Sequence, residues 1–132
     1  MKRIYFLTIV FVLTTVVYSQ NLIDNNWLLK TGDDLSWKET ELNTENWKTV
    51  KTGINWELQG FPEYDGYAWY RKMVSIPENL KLQATEFGGL VLYLGTIDDC
   101  EQIYFNGKLI AQNGGFPPAY ESAYNVDRKV VI

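Results

Sequence analysis

The segment Glu101-Gln102-Ile103-Tyr104-Phe105-Asn106-Gly107-Lys108-Leu109-Ile110 constrains this chain more than any other stretch. Two apolar runs flank Asn-Gly, the pair favoured in two-residue type I′ turns because both central positions need positive φ. A β-hairpin is therefore predicted, with Glu101 to Phe105 and Lys108 to Ala111 as its arms. A two-residue loop also sets the register: Phe105 faces Lys108, Tyr104 faces Leu109, and Ile103 faces Ile110. Asp98, Asp99 and Glu101 lie at the start of this hairpin and raise the question of chemistry.

The rest of the chain reads as short strands broken by turn residues. Asn21 to Lys30 fits one turn or a first strand around Trp27-Leu28-Leu29, and Thr31-Gly32-Asp33-Asp34 is turn chemistry. Thr44 to Trp47 fits a helical turn that carries Trp47 inward, followed by a strand over Trp47 to Thr52. Gly53, Gly60, Pro62 and Gly66 break the next stretch into loop. Tyr67 to Ile76 is the longest strand candidate, apolar on both faces near its start as an inner strand would be, and Pro77 ends it. Gly88 to Leu94 is a short, nearly continuous apolar run, the pattern of a buried strand. Gly114-Gly115-Phe116-Pro117-Pro118-Ala119-Tyr120 is loop, and Ser122 to Ile132 begins one more strand. No long helical pattern and no internal repeat is found. This pattern predicts an all-β fold, best matched by a β-sandwich.

The N-terminus reads as a leader. Lys2 and Arg3 precede a mostly apolar run from Ile4 to Tyr18, and Val17-Tyr18-Ser19 suits a cleavage site, so residues 1–19 are expected to be a signal peptide. The run is short for a membrane span of about 20 residues, which leaves an uncleaved anchor as the lesser alternative. The mature domain would then cover residues 20–132, in a secreted or periplasmic setting. Removing Lys2 and Arg3 takes the formal charge from −4 to −6. An acidic domain without a basic run is a poor partner for nucleic acid or for anionic membranes.

Histidine is absent, which excludes Ser-His-Asp and Cys-His catalysis within this chain. It also removes histidine-based zinc and iron sites. Cys100 is the single cysteine, so no intrachain disulfide forms and a core must hold the fold. Its neighbours Asp99 and Glu101 disfavour a thiolate.

A glycosidase pair needs two carboxyl groups about 5 to 9 Å apart across a cleft. Asp98 and Asp99 would point to opposite faces of a regular strand. Calcium needs about six to eight oxygens, and only three carboxylates cluster here. A structural role is therefore expected for Asp98 and Asp99, one member of the cluster pairing with Arg71 in its strand. No cofactor is expected, a structural calcium at this cluster being the alternative.

Five Trp, nine Tyr and six Phe are available for core packing and for stacking on sugar rings. The loop Asn55 to Gly66 combines Trp56, Phe61 and Tyr64 with Glu57, Glu63 and Asp65. A ring face and a carboxylate together suit a sugar. Tyr64, Asp65 and Trp69 are the candidate sugar-binding residues, with Trp69 alternatively a core anchor. Phe116, on a loop stiffened by Pro117 and Pro118, joins them as a candidate. That loop suits either ligand contact or docking against a neighbouring domain.

The series Trp47, Trp56-Glu57-Leu58-Gln59-Gly60, Tyr64 to Lys72, Ile76-Pro77, Leu92 to Asp99 and Tyr104 to Lys108 resembles the N-terminal sugar-binding domain of glycoside hydrolase family 2 enzymes. The resemblance covers about Trp27 to Arg128 and implies a galactose-binding-like jelly roll. It also implies a non-catalytic carbohydrate-binding or accessory role beside a catalytic (β/α)8 barrel, whose two carboxylates would lie outside this chain. Against the pattern of such domains, the last strand is expected to be missing. The alternative is a structural remnant or fragment of a secreted glycosidase or esterase, with no independent binding.

Overall fold

A computed structural model describes residues 20–132, so the expected leader at 1–19 lies outside the described residues. The strands are β1 (Asn26–Thr31), β2 (Lys48–Lys51), β3 (Ala68–Arg71), β4 (Val91–Thr96), β5 (Glu101–Phe105), β6 (Lys108–Asn113) and β7 (Asp127–Val131). They form three small antiparallel sheets, ordered β2-β1-β3, β4-β7 and β5-β6. The molecule is thus mostly β, as the hairpin and strand pattern led one to expect.

The core is set by period-two burial. Leu29 is 1% exposed at the centre of β1, and Val50 of β2 is 2% exposed on the same face. Burying each such side chain contributes about 1.5–3 kcal/mol. β7 alternates strictly, with Arg128 and Val130 buried between exposed Asp127, Lys129 and Val131. Trp47 turns inward as expected, after the turn closed by Trp47 N donating to Thr44 O at 2.9 Å.

The hairpin forms as predicted at its tip. Asn106 and Gly107 take φ of 47° and 77°, and Phe105 faces Lys108 while Tyr104 faces Leu109. Further in, a bulge between Ile103 and Tyr104 sets Ile103 opposite Ala111 instead of Ile110. One extra residue on β6 is absorbed there, which increases the local twist.

Three expectations are corrected. The strand expected over Tyr67 to Ile76 shortens to Ala68–Arg71 and lies at a sheet edge, because β1 occupies the centre. The run Gly88 to Leu94 yields β4, whose Val91 and Tyr93 are 67% and 58% exposed, so only its other face is covered. A ten-residue helix, α1 (Glu78–Phe87), stands where none was expected. Its residues are mostly good helix formers, and Gly88 at φ 81° caps its C-terminus, its N–H donating to Ala84 O. Only Leu80 of α1 is buried. The helix therefore shows almost no apolar periodicity, the signal a sequence reading depends on.

Candidate ligand-binding cleft

The first wall of the cleft grows from the end of β1. Gly32, at φ 111°, bends the chain and donates its N–H to Tyr67 O at 2.7 Å. Asp34 Oδ1 then accepts from Ser36 N at 2.9 Å and starts the 3-10 turn Leu35–Lys38, which carries Trp37. These hydrogen bonds from Ser36 hold the Asp34 carboxyl below the usual aspartate range. Asp33, beside it, stays exposed, and its Oδ1 accepts from Trp69 Nε1 at 3.4 Å.

The second wall is aromatic. The Trp69 ring stacks on Tyr104 at 5.3 Å and 27°, and meets Trp37 edge-on at 6.4 Å. Tyr104 Oη donates to Gln102 Oε1 at 2.8 Å, and Gln102 Nε2 donates to Gln112 Oε1 at 2.9 Å. The Gln102 amide is thereby fixed in orientation. Tyr67 and Phe116 approach at 5.7 Å with ring planes tilted by 33°. Asp33, Tyr67, Gln102, Phe116 and Pro117 together line a concavity of about 260 Å3.

The Phe116 loop is held at several points. Gly115 and Glu121 exchange backbone hydrogen bonds at 2.9 and 3.0 Å. Asp99 Oδ1 accepts from Tyr120 Oη at 2.8 Å and from Ser122 Oγ at 3.3 Å, while Asp99 O accepts from Ala123 N at 2.6 Å. The hydrogen bond to Asp99 raises the Tyr120 hydroxyl above its ordinary pKa. Glu101 anchors the start of the loop by accepting from Asn113 Nδ2, and Arg128 anchors its end by donating to Ala123 O at 2.9 Å. Arg128 also donates to Val126 O, to Ile97 O at 3.0 Å, and to Glu101 Oε2 through Nη2 at 2.5 Å and Nε at 2.9 Å.

This arrangement corrects the expected partner of Arg71. Arg71 donates to Trp37 O at 3.2 Å and to Thr40 O at 2.8 Å, fixing the segment that carries Trp37. The arginine that pairs with the acidic cluster is Arg128, through Glu101. Asp98 Oδ1 accepts from Asp99 N at 3.0 Å, which stabilises the left-handed turn at Asp99, φ 60°. Burial first, and then Asp99 and Glu101, push the Cys100 thiol above its ordinary pKa. Among the described residues, no group of three or more His, Cys, Asp or Glu side chains is placed to hold a metal ion. No helix among them is long and apolar enough to cross a membrane.

Of the four candidate sugar-binding residues, Phe116 lines the cleft and Trp69 backs it through Asp33 and Tyr104. Tyr64 and Asp65 fall outside the lining. The Tyr64 hydroxyl donates to Tyr67 O at 2.6 Å and accepts from Gly32 N at 3.1 Å, and its ring meets Trp56 edge-on at 5.7 Å. Tyr64 therefore braces the backbone under Tyr67. Tyr64→Phe is expected to lower stability by about 1 kcal/mol through these two lost contacts, read from urea denaturation. A neutral result would remove the bracing role. The sequence reading missed Asp33, Tyr67 and Gln102. Asp33 is masked by its turn-forming neighbours, whereas Gln102 carries a faint signal as a polar residue next to buried Ile103 on β5.

The chain matches no protein-family model, no curated protein and no solved structure.

Proposed function

We propose that this chain is a non-catalytic carbohydrate-binding domain, a galactose-binding-like jelly roll of the glycoside hydrolase family 2 accessory type, working outside the cytoplasm. The observation that carries the reading is the cleft in which the Tyr67 and Phe116 rings meet the Asp33 carboxylate and the oriented Gln102 amide. Ring faces stack on sugar C–H groups, the carboxylate accepts from hydroxyls, and the amide fixes orientation. The volume of about 260 Å3, just below the usual range of about 300–1,000 Å3 for ligand pockets, suits a single sugar residue. A catalytic barrel carried elsewhere would do the hydrolysis, and this domain would hold or orient the glycan. The leader-like N-terminus supports export.

The test is isothermal titration of the chain with panels of neutral galacto-, gluco- and manno-oligosaccharides, followed in parallel by tryptophan fluorescence. One panel is expected to bind, with Phe116→Ala weakening it about tenfold, the loss of one good stacking contact. Binding that is indifferent to Phe116→Ala overturns the assignment of the cleft, and the absence of binding to every panel overturns the reading and leaves the structural-fragment alternative.

A further inference from the structure

A second concavity, of about 300 Å3, shares no lining residue with the cleft at Phe116. It is lined by Lys30, Trp37, Leu42, Glu45, Trp47 and the neighbouring asparagines Asn43 and Asn46. The sheet places its central cation. Lys30 pairs with Trp69 across β1 and β3, and one further step of the β1–β2 register sets Trp47 opposite Lys30 on the other side. Lys30 Nζ sits 4.5 Å from the Trp37 ring centroid and 6.0 Å from that of Trp47. The two indoles meet edge-on at 5.5 Å.

Lys30 is a half-buried cation held by ring faces. The ion pairs among the described residues engage Lys72, Lys81, Arg128 and Lys129, and none engages Lys30. Asp34 feels the Lys30 charge only as the weakest influence on its carboxyl, which is occupied with Ser36. A half-buried ammonium that makes no ion pair retains donors for a charge-assisted contact with a carboxylate. The rest of the lining narrows the ligand. Trp37 offers a partly exposed ring wall, and Trp47, 7% exposed, forms a floor. Glu45 and Asn46 are exposed and suit ring hydroxyls. Glu45 also disfavours a doubly charged anion such as a phosphate ester, as does the net charge of −4.

We propose that this recess binds a carboxylate-bearing sugar residue, its carboxylate on Lys30 Nζ and its ring against Trp37. The site is independent of neutral-sugar binding at the Phe116 cleft.

The test is titration calorimetry of the unmodified chain with methyl galactopyranosiduronate, which carries a single carboxylate, and, separately, with its methyl ester, at low and high salt. The free acid is expected to bind about tenfold more tightly than the ester, as one charge-assisted contact implies, and salt is expected to reduce that preference. Lys30→Met abolishes the preference, Lys30→Arg largely keeps it, and Phe116→Ala leaves it unchanged. Equal affinity for acid and ester, or no binding of the acid, overturns the proposal without any variant having to fold. A preference that survives Lys30→Met but disappears in Phe116→Ala also overturns it, because the acid is then bound in the first cleft. Failure of neutral oligosaccharides to bind, with the acid preference intact, overturns only the reading of the Phe116 cleft.

Discussion

Glu101→Ala is expected to destabilise the domain by about 3–5 kcal/mol, the cost of leaving one member of a buried ion pair uncompensated. The Arg128 side chain is 0% exposed and that of Glu101 10%, so little water reaches the charge that remains. The pair ties β5 to β7, and Arg128 adds the carbonyls of Ile97, Ala123 and Val126. Removing Glu101 also frees Asn113 at the start of the Phe116 loop. A loss of this size is a large part of the roughly 5–15 kcal/mol that holds a typical domain together, and the thermal midpoint should fall by about 10–20 °C. Calorimetric scanning of wild type, Glu101→Ala and Glu101→Gln reads the effect. Glu101→Gln should lie between the other two, because an amide keeps an acceptor for the guanidinium but not the charge. A loss below about 1 kcal/mol for Glu101→Ala, the range of an exposed pair, would show that the pair contributes little.

Gly114→Ala is the second large effect, at about 3 kcal/mol. Gly114 takes φ of 72°, where a non-glycine residue is strained by about 1–3 kcal/mol. A Cβ there would lie 2.7 Å from Cys100 Cβ and would also run into the carbonyl oxygen of Glu121. Backbone on one side and a neighbouring strand entry on the other leave no flexible group to move aside, so overpacking adds to the strain. The pairing of Gly115 with Glu121 should open, and Phe116 should lose its place against Tyr67. Denaturant unfolding gives the stability change, and titration with the neutral sugar that binds wild type gives the functional one. Gly107→Ala provides the contrast. It shares positive φ, at 77°, but its Cβ meets nothing closer than Lys38 O at 3.7 Å. It should therefore cost less and leave the cleft intact. Equal losses for the two variants would show that φ strain alone decides, without the clash.

The parts of the fold that could be read along the chain are those whose cause is local. Asn106-Gly107 specified its turn because few residue pairs accept two positive φ values in succession. β7 was visible as a strand start, and Trp47 as an inward residue, for similarly local reasons. α1 was hidden because its residues favour helix individually but bury only Leu80, so no periodic face marks it. The bulge in the hairpin was hidden because apolar Ile110 and small Ala111 both fit opposite Ile103 until packing of the arms selects one.

The candidate site divides in the same way. Phe116 was legible as an aromatic on a stiff, Pro-rich loop, and the cleft uses it. Tyr64 looked equally suited, yet its hydroxyl is taken up by Gly32 and Tyr67, which stand far apart from one another in sequence. Arg71 was the expected partner for the acidic cluster, and Arg128 was not singled out. The choice fell to Arg128 because β7 pairs with β4, whose end leads through Ile97 to Glu101, whereas β3 pairs with β1.

By itself, then, the sequence determined the β class, the hairpin and its turn, the lack of histidine chemistry, and the stock of rings and carboxylates. Each of these follows from composition or from the conformational limits of two or three adjacent residues. Only the tertiary structure decided which rings share a cleft, which arginine is buried against Glu101, and which lysine stands without a carboxylate partner in an aromatic recess. Those outcomes depend on pairing between strands distant in the chain, where satisfaction of buried polar groups and the fit of side chains, not local preference, select the partner.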